Sequence, residues 1–373
     1  MLELYGFKKL DTKRAPRVVV GLSCGVDSSA TAAVLKWQGY NVIGLFMKNW
    51  EETTDTGFCT SERDYEDVKR VADAIGIPYY AVNFSKQYYE YVFEEFLRGL
   101  KNGYTPNPDI LCNREIKFGP FLEYAKKLGA DFVATGHYAR IERVKQGEHF
   151  RLLKGVDTHK DQSYFLCGLS ADQLRYAMFP IGHLEKKTVR EIAKAMGLVV
   201  AEKKDSTGIC FIGERKFRDF MKTYFGNQAG EIRTLDEKVV GTHIGLMYYT
   251  LGQRKGLGLG GSKDGEGRWF VVKKDLSANV LYVSLGDCDE MYTTQLVARE
   301  FNWINPETVG AIKCRPLGAK HRYNQPDQKC TIQIQGNGDV KLVFDQPQRA
   351  VTPGQWVVLY DGDICLGGGA ILG

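Results

Sequence analysis

Val18-Val19-Val20-Gly21-Leu22-Ser23-Cys24-Gly25-Val26-Asp27-Ser28-Ser29 decides the fold. The β-branched run reads as a buried strand, the small-residue turn after it carries three hydroxyls and one acid, and Ala30 to Gln38 continues as a helix. A strand that ends in such a turn and opens a helix aims backbone N–H groups and the positive end of the helix dipole at whatever binds there, so the expected guest is an anion. The turn lacks the Gly-Lys-Ser/Thr ending of a P-loop and the second glycine of a dinucleotide fingerprint, which sets both readings aside. On these residues alone, an ordinary strand-to-helix turn with Ser28 as N-cap is the alternative.

Working outward, the pattern alternates: strands at Val18 to Gly21, Val42 to Met47, Tyr79 to Phe84 and Phe132 to Ala134, with helices at Ser28 to Gln38, Ser61 to Ile75, Gln87 to Leu100 and Phe118 to Leu128. This predicts a doubly wound α/β parallel sheet. In such sheets a ligand lies beyond the carboxyl ends of the strands, so Ser23 to Ser29, Met47 to Trp50 and Thr135-Gly136-His137-Tyr138 are expected to meet at one crevice. Met47 there reads either as a cover for a flat ring or as core packing. A further helix is predicted at Lys187 to Met196, then a loop from Lys203 to Gly213.

Three domains are expected: residues 1–213, 214–283 and 284–373. Glycines multiply in the second, as in Leu251-Gly252-Gln253-Arg254-Lys255-Gly256, which predicts a loop-rich unit offering a binding surface more than a core. Alternating segments at Lys329 to Gln335, Val340 to Phe344 and Gln355 to Tyr360 predict a small antiparallel β-barrel in the third.

Composition bounds the function. No run of eighteen apolar residues occurs and Met1 to Arg17 carries no signal-peptide core, so a cytoplasmic protein with no membrane segment is expected. Nine cysteines without short repeated spacing favour reduced thiols over a disulfide framework. A net charge of +5 permits a nucleic-acid partner if cations cluster, and the pairs Lys203-Lys204, Arg215-Lys216, Arg254-Lys255, Lys273-Lys274 and Lys320-His321-Arg322-Tyr323 offer a track for a phosphate backbone, with solvated surface charge as the alternative for each.

The chemistry centres on Thr105-Pro106-Asn107-Pro108-Asp109-Ile110-Leu111-Cys112-Asn113-Arg114-Glu115. Two prolines stiffen a loop, and an acid and a thiol three residues apart share one face of a turn. Asp109 reads as a proton acceptor near Cys112, and Arg114 as the cation that favours a thiolate. Downstream, Asp205-Ser206-Thr207-Gly208-Ile209-Cys210-Phe211 supplies a second loop thiol. Two loop thiols suggest sulfur handling; taken singly, each stands equally well as a small buried hydrophobe.

Ser23-Cys24-Gly25-Val26-Asp27-Ser28 resembles the pyrophosphate loop, Ser-Gly-Gly-x-Asp-Ser, of enzymes that cleave ATP between its α and β phosphates. Cys24 stands where that pattern has its first glycine, from which weakened ATP affinity is expected. Together with Phe46-Met47-Lys48-Asn49-Trp50, Pro106 to Cys112, Ala134 to Tyr138, Lys160 to Phe165, Lys204 to Gly213, Leu251 to Gly256 and Cys365 to Gly369, the chain resembles the tRNA-uridine 2-sulfurtransferases, or tRNA 2-thiouridylases, over nearly its whole length.

The resemblance implies ATP-dependent 2-thiolation of the wobble uridine of tRNAs of the Lys, Glu and Gln type, giving 2-thiouridine, AMP and pyrophosphate. It implies that Gly21, Leu22, Ser23, Cys24, Gly25, Val26, Asp27 and Ser28, with Met47 and Gly136, hold ATP and Mg2+. It implies that Cys210 carries a persulfide received from a sulfur-relay protein or cysteine desulfurase. Cys112 is the second thiol, releasing hydrosulfide or closing a disulfide with Cys210, and Asp109 is the acid–base partner. Contacts to the anticodon stem-loop are implied for Asn107, Pro108, Asp109, His137, Lys160, Asp161, Gln162, Arg322, Tyr323 and Gln355. An iron–sulfur cluster on Asp109, Cys112 and Cys210 is a variant of the same reading.

Overall fold

Val18, Val19 and Val20 are completely buried because strand β1 (Arg17–Leu22) lies in the middle of a parallel sheet covered on both faces. The computed structural model describes residues 2–12, 14–50, 60–144, 149–204, 217–260, 267–313 and 315–372. β1 pairs in parallel with β2 (Asn41–Lys48) on one side and β4 (Phe132–Ala134) on the other, in the registers Val18↔Val42 and Val18↔Phe132. β3 (Tyr79–Asn83) extends the sheet beyond β2, and β7 (Ala177–Met178) extends it beyond β4. The order β3-β2-β1-β4-β7 reverses direction at β1, which opens a crevice between the carboxyl ends of β1 and β4.

Helix α1 (Val26–Gln38) follows the turn after β1 and buries Ala30, Ala32, Ala33, Val34 and Leu35. Gly39 ends it in the left-handed conformation, its N–H closing onto Leu35 and Lys36. The predicted helices at Ser61 to Ile75 and Lys187 to Met196 are present as α2 (Thr60–Ile75) and Lys186–Ala195. The one expected at Gln87 to Leu100 runs as Ser85–Tyr88, Tyr89–Phe93 and Glu94–Lys101, with a wide turn in its middle.

Between β4 and β7 the chain leaves the parallel sheet as a hairpin, β5 (Ala139–Val144) and β6 (His149–Lys154). β8 (Gly230–Thr234), β9 (Val239–His243), β10 (Trp269–Asp275) and β11 (Val280–Leu285) form a separate sheet ordered β10-β11-β8-β9. Ile232, Val271, Leu281 and Val283 are wholly buried there, so the glycine-rich segment does have a core, contrary to the expectation from composition.

β12 (Tyr292–Trp303), β13 (Leu317–Lys320), β14 (Gln328–Ile334), β15 (Val340–Arg349), β16 (Trp356–Asp361) and β17 (Ile364–Ile371) close into an antiparallel barrel, because β12 pairs with both β15 and β17. Closure requires Gly367: it has φ +137°, and a Cβ there would sit 1.8 Å from the Asn302 carbonyl oxygen. β17 also pairs with β6 through Ile364↔Leu153 and Cys365↔Leu152, so the hairpin next to the crevice belongs to the barrel's sheet.

One apolar cluster joins all three sheets, including Val19 and Leu45, then Ile110 and Tyr164, and reaching Val271, Leu281, Trp356 and Tyr360. The loop ahead of Asn107 is tied to both β units. Thr105 N–H donates to Pro353 O at 2.8 Å and Gln355 Nε2 to Thr105 O at 2.7 Å, while Lys274 Nζ donates to Gly103 O at 3.0 Å.

Candidate active site

The turn after β1 is built around its hydroxyls. Ser28 Oγ accepts from Ser23 N–H at 3.2 Å and donates to Gly25 O at 3.2 Å, and Ser29 Oγ donates to Gly25 O at 2.9 Å. Ser28 lies inside α1, and Gly25, the residue before the helix, provides no side-chain cap. The alternative of a Ser28 N-cap is therefore set aside, and no side-chain cap occupies the start of the helix.

Cys24 has φ +52°, a left-handed conformation that costs a residue with a Cβ about 1–2 kcal/mol. Its side chain is 5% exposed and joins the cluster of Val20, Leu22, Phe46 and Val68. Burial first, then Asp64, pushes the thiol pKa up, so Cys24 is expected to be inert. Relief of the backbone in Cys24→Gly is offset by lost burial and a more flexible unfolded chain. Because the sulfur sits in the core, we expect that variant to lower the KM for ATP by about threefold or less and to leave thermal stability nearly unchanged. A tenfold fall in KM would show that the Cβ obstructs the nucleotide.

Gly136, just past β4, packs directly on this turn: a Cβ there would lie 2.7 Å from Ser28 N and 2.8 Å from the Asp27 carbonyl carbon. Asp27 faces the same place. Its carboxylate accepts from Lys186 Nζ at 2.7 and 2.8 Å and from Tyr138 Oη at 2.8 Å, and Tyr138 N–H donates to Gln162 Oε1 at 3.0 Å. Ser23, Ser28 and Asp27, the last now paired with Lys186 and Tyr138, are the hard oxygen groups that would hold magnesium alongside phosphate oxygens. Met47, at the end of β2, is half-buried and packs against the main apolar cluster.

The acid–thiol segment is helical, not a loop. Asn107 caps it, its Oδ1 accepting from the N–H groups of Asp109 at 3.1 Å and Ile110 at 3.4 Å, and Pro108 occupies the first helical position. Pro108–Leu111 runs into a wide turn, Cys112–Lys117, in which Phe118 N–H reaches Asn113 O at 3.0 Å. Such turns cluster at functional sites. Asp109 and Cys112 share a face as the spacing predicted, but Cys112 is only 1% exposed.

Burial pushes the Asp109 carboxyl pKa up, and the Lys117 ammonium opposes that shift. A raised carboxyl pKa means the folded state binds a proton more readily than the unfolded one, so ionised Asp109 costs stability at neutral pH, a cost relieved as pH falls through its folded value. Asp109→Asn is therefore expected to melt no lower than the parent chain at pH 7 while losing about 10²-fold or more in activity. Calorimetry beside a turnover assay checks this, and a lower melting temperature would contradict it.

His137 Nδ1 is 2.7 Å from Thr135 Oγ1, and burial together with Lys117 holds the imidazole neutral, well below its usual range. The Lys117 charge thus contributes to the shift of both groups, opposing the rise at Asp109 and adding to the fall at His137. Arg114, the cation expected to serve Cys112, is paired with Glu115 at 2.6 Å and lies against the Trp356 ring. The reading of Arg114 rests on its nearness in sequence alone, which does not foresee the wide turn at Cys112–Lys117.

Most of the residues expected to touch RNA make contacts within the protein. Asp161 is 4% exposed and its Oδ1 accepts from Gly155 and Ser163 N–H. Arg322 Nη2 donates to Leu251 O at 3.3 Å and Ala350 O at 2.8 Å, joining the second sheet to the barrel. Tyr323 packs on Phe165 with centroids 4.6 Å apart, and Gln355 holds Thr105. Lys160 is half-buried. Among the basic pairs, Lys203 is tied to Asp67 at 2.8 Å and Lys320 is buried beside Asp161, whereas Lys204, Arg254, Lys255 and Lys273 are exposed. Cys210, the Lys204 to Gly213 motif beyond Lys204, and Arg215-Lys216 lie outside the described residues.

A parallel sheet with a phosphate-type turn at its switch point, followed by two β units, defines a pyrophosphate-loop protein of the adenine-nucleotide hydrolase-like class. Residues 16–214 match the tRNA methyl transferase HUP domain, 218–285 the tRNA methyl transferase PRC-barrel domain and 293–371 the aminomethyltransferase beta-barrel domain. The chain is 58% identical over 357 residues to the tRNA-specific 2-thiouridylase MnmA of Listeria monocytogenes serovar 1/2a, covering 95% of this chain and 94% of that protein. To the protein of the same name from Alkaliphilus oremlandii it is 56% identical over 358 residues, covering 95% and 96%. The U34-tRNA thiolase NcsA of Methanococcus maripaludis is a distant solved structure, 16% identical with a TM-score of 0.36, covering 60% of this chain and 72% of that one. The chain belongs to the tRNA-specific 2-thiouridylase family. The domain descriptions name a methyl transferase; identity near three-fifths over nearly the full length to thiouridylases decides the assignment.

Proposed function

We propose that the chain converts C2 of the wobble uridine in tRNA from carbonyl to thiocarbonyl, using ATP and a cysteine persulfide. The observation that carries this reading is the packing of Gly136, just past β4, directly on Ser28 of the phosphate turn, in a chain 58% identical over 357 residues to a tRNA-specific 2-thiouridylase. His137 follows Gly136 in the sequence, and the Pro108–Leu111 helix with Cys112 next to it supplies an acid and a thiol one helical turn apart.

The uridine must leave the anticodon stack, at a cost of a few kcal/mol repaid by contacts elsewhere. A carboxylate with a raised pKa suits removal of the N3 proton, which makes O2 nucleophilic. O2 then attacks the α-phosphorus, the bond to the β-phosphate oxygen breaks, and pyrophosphate leaves. Magnesium, held by Asp27 with the phosphates, would neutralise charge on them. Ser23 to Ser28 and Gly136 hold the nucleotide, and the start of α1 faces its phosphates.

In the second stage the terminal sulfur of a Cys210 persulfide attacks C2 and loses its proton, the C2–O bond breaks, and AMP departs. The Cys112 thiolate then attacks Cys210 Sγ. The sulfur–sulfur bond breaks, sulfur stays on C2, N3 recovers its proton, and a Cys112–Cys210 disulfide remains for an external thiol to reduce. A sulfur-relay protein or cysteine desulfurase would load Cys210. Exposed Arg254, Lys255 and Lys273 suit the tRNA phosphates, with the remaining anticodon contacts made once the substrate is bound.

Pyrophosphate release by the purified chain tests the first stage. It is expected with ATP, magnesium and unmodified tRNA, and not with a transcript whose wobble base is cytidine. Release independent of the wobble base would contradict the reading. Thiolation by an iron-free preparation would remove the cluster variant.

A further inference from the structure

We propose that Lys117, pinned by Asn113 in the wide turn after Cys112, is the cation that serves the Asp109–Cys112 pair during uridine activation and sulfur transfer. This rests on the thiolation reading and adds to it a residue outside the acid and the two thiols. The argument begins with backbone geometry. In the turn Cys112–Lys117 the hydrogen bond from Phe118 N–H skips to Asn113 O, five residues back, so residues five apart come roughly into line. Lys117, five residues after Cys112, is thereby brought nearer the thiol's side of the helix than the roughly 140° offset of a regular α-helix would give.

The side chain is held, not merely exposed. Lys117 Nζ donates to Asn113 Oδ1 at 2.9 Å, and Asn113, only 2% exposed, donates through Nδ2 to Phe165 O at 2.9 Å. A buried amide with both ends satisfied fixes where the ammonium sits. The groups that feel it are Asp109, from the same helix, and His137, from the segment after β4 that carries Gly136. Of these His137 is neutral, and the neighbouring charges Arg114 and Glu115 neutralise each other. A cation fixed on the turn that carries Cys112 is thereby available at both moments when negative charge develops: on the uridine as N3 loses its proton to Asp109, and on sulfur as Cys112 becomes a thiolate. Such preorganised charge stabilises a transition state more than a ground state.

Lys117→Met, which keeps the apolar stem and removes the charge, is expected to lower kcat for thiolation about 10²-fold while leaving the KM for ATP within about threefold. Because Lys117 holds the Asp109 pKa down, its loss should also move the acidic limb of the pH–kcat profile to higher pH. Lys117→Arg should restore much of the rate and return the limb toward its original position, which a purely structural role would not do. Asn113→Ala, with the ammonium present but unpinned, should fall between the two. A Lys117→Met enzyme with unchanged kcat, with an elevated KM for ATP as its sole defect, or with an unmoved acidic limb overturns the inference. A parent chain that thiolates nothing in the same assay contradicts the underlying reading instead.

Discussion

Cys112→Ser and Cys210→Ser should each abolish thiolation, by about 10³-fold or more, while pyrophosphate release on unmodified tRNA persists within about tenfold of the parent chain. The split follows from the two-stage chemistry. Oxygen attack on the α-phosphorus requires the phosphate turn, Gly136 and a base, and neither thiol. Sulfur attack on C2 and cleavage of the sulfur–sulfur bond require both. Serine holds the thiol's place in the buried Cys112 position with little loss of volume, so the fold is retained. Loss of pyrophosphate release together with thiolation, in a variant that melts normally, would place a thiol in the first stage and contradict the scheme.

The second large effect belongs to Gly136→Ala. The added Cβ would lie 2.7 Å from Ser28 N, 2.8 Å from the Asp27 carbonyl carbon and 3.0 Å from Asp27 Cβ, and two of these are backbone atoms at the start of α1. Relief requires the helix start to shift against β4, which moves the phosphate-facing N–H groups and the Asp27 carboxylate together. Misplacement of a positioning group by about 1 Å can cost 10²-fold, so tRNA-dependent pyrophosphate release should fall by about that factor, with kcat affected as well as the KM for ATP. The same substitution at Gly197, where a Cβ meets nothing within 4 Å, controls for the loss of a glycine in general, though its φ of +69° makes some destabilisation expected there. Release by Gly136→Ala within threefold of the parent rate would show that the close packing does not position the nucleotide.

What the sequence made legible was local. The valine run of β1, the turn and α1 are set by neighbouring residues and are found where they were expected; the i,i+3 spacing of Asp109 and Cys112 likewise falls on helical backbone. What it hid was long-range or depended on a single hydrogen-bond register. Ala139–Val144 and His149–Lys154 alternate like any hairpin, but nothing local says that Leu152 pairs with Cys365, more than two hundred residues away. Arg114 reads as the cation for Cys112 from its place next along the chain; in the fold it is paired with Glu115, and the wide turn marked by the Phe118-to-Asn113 hydrogen bond has no local sequence signature. The family resemblance implies RNA contacts for Arg322 and Gln355; only the folded chain shows that they also bond to carbonyls of other segments. Reversing the charge at Arg322 would therefore break the joint between the second sheet and the barrel, whatever it did to RNA.

The most direct test of the central claim is mass analysis of a wobble-uridine tRNA after incubation with the purified chain, ATP, magnesium and a persulfide donor. The account predicts one oxygen-to-sulfur exchange, located at C2 of the wobble uridine, dependent on ATP and absent with Cys112→Ser or Cys210→Ser. An unchanged anticodon mass with the parent chain, or sulfur incorporated equally well by both serine variants, would contradict it.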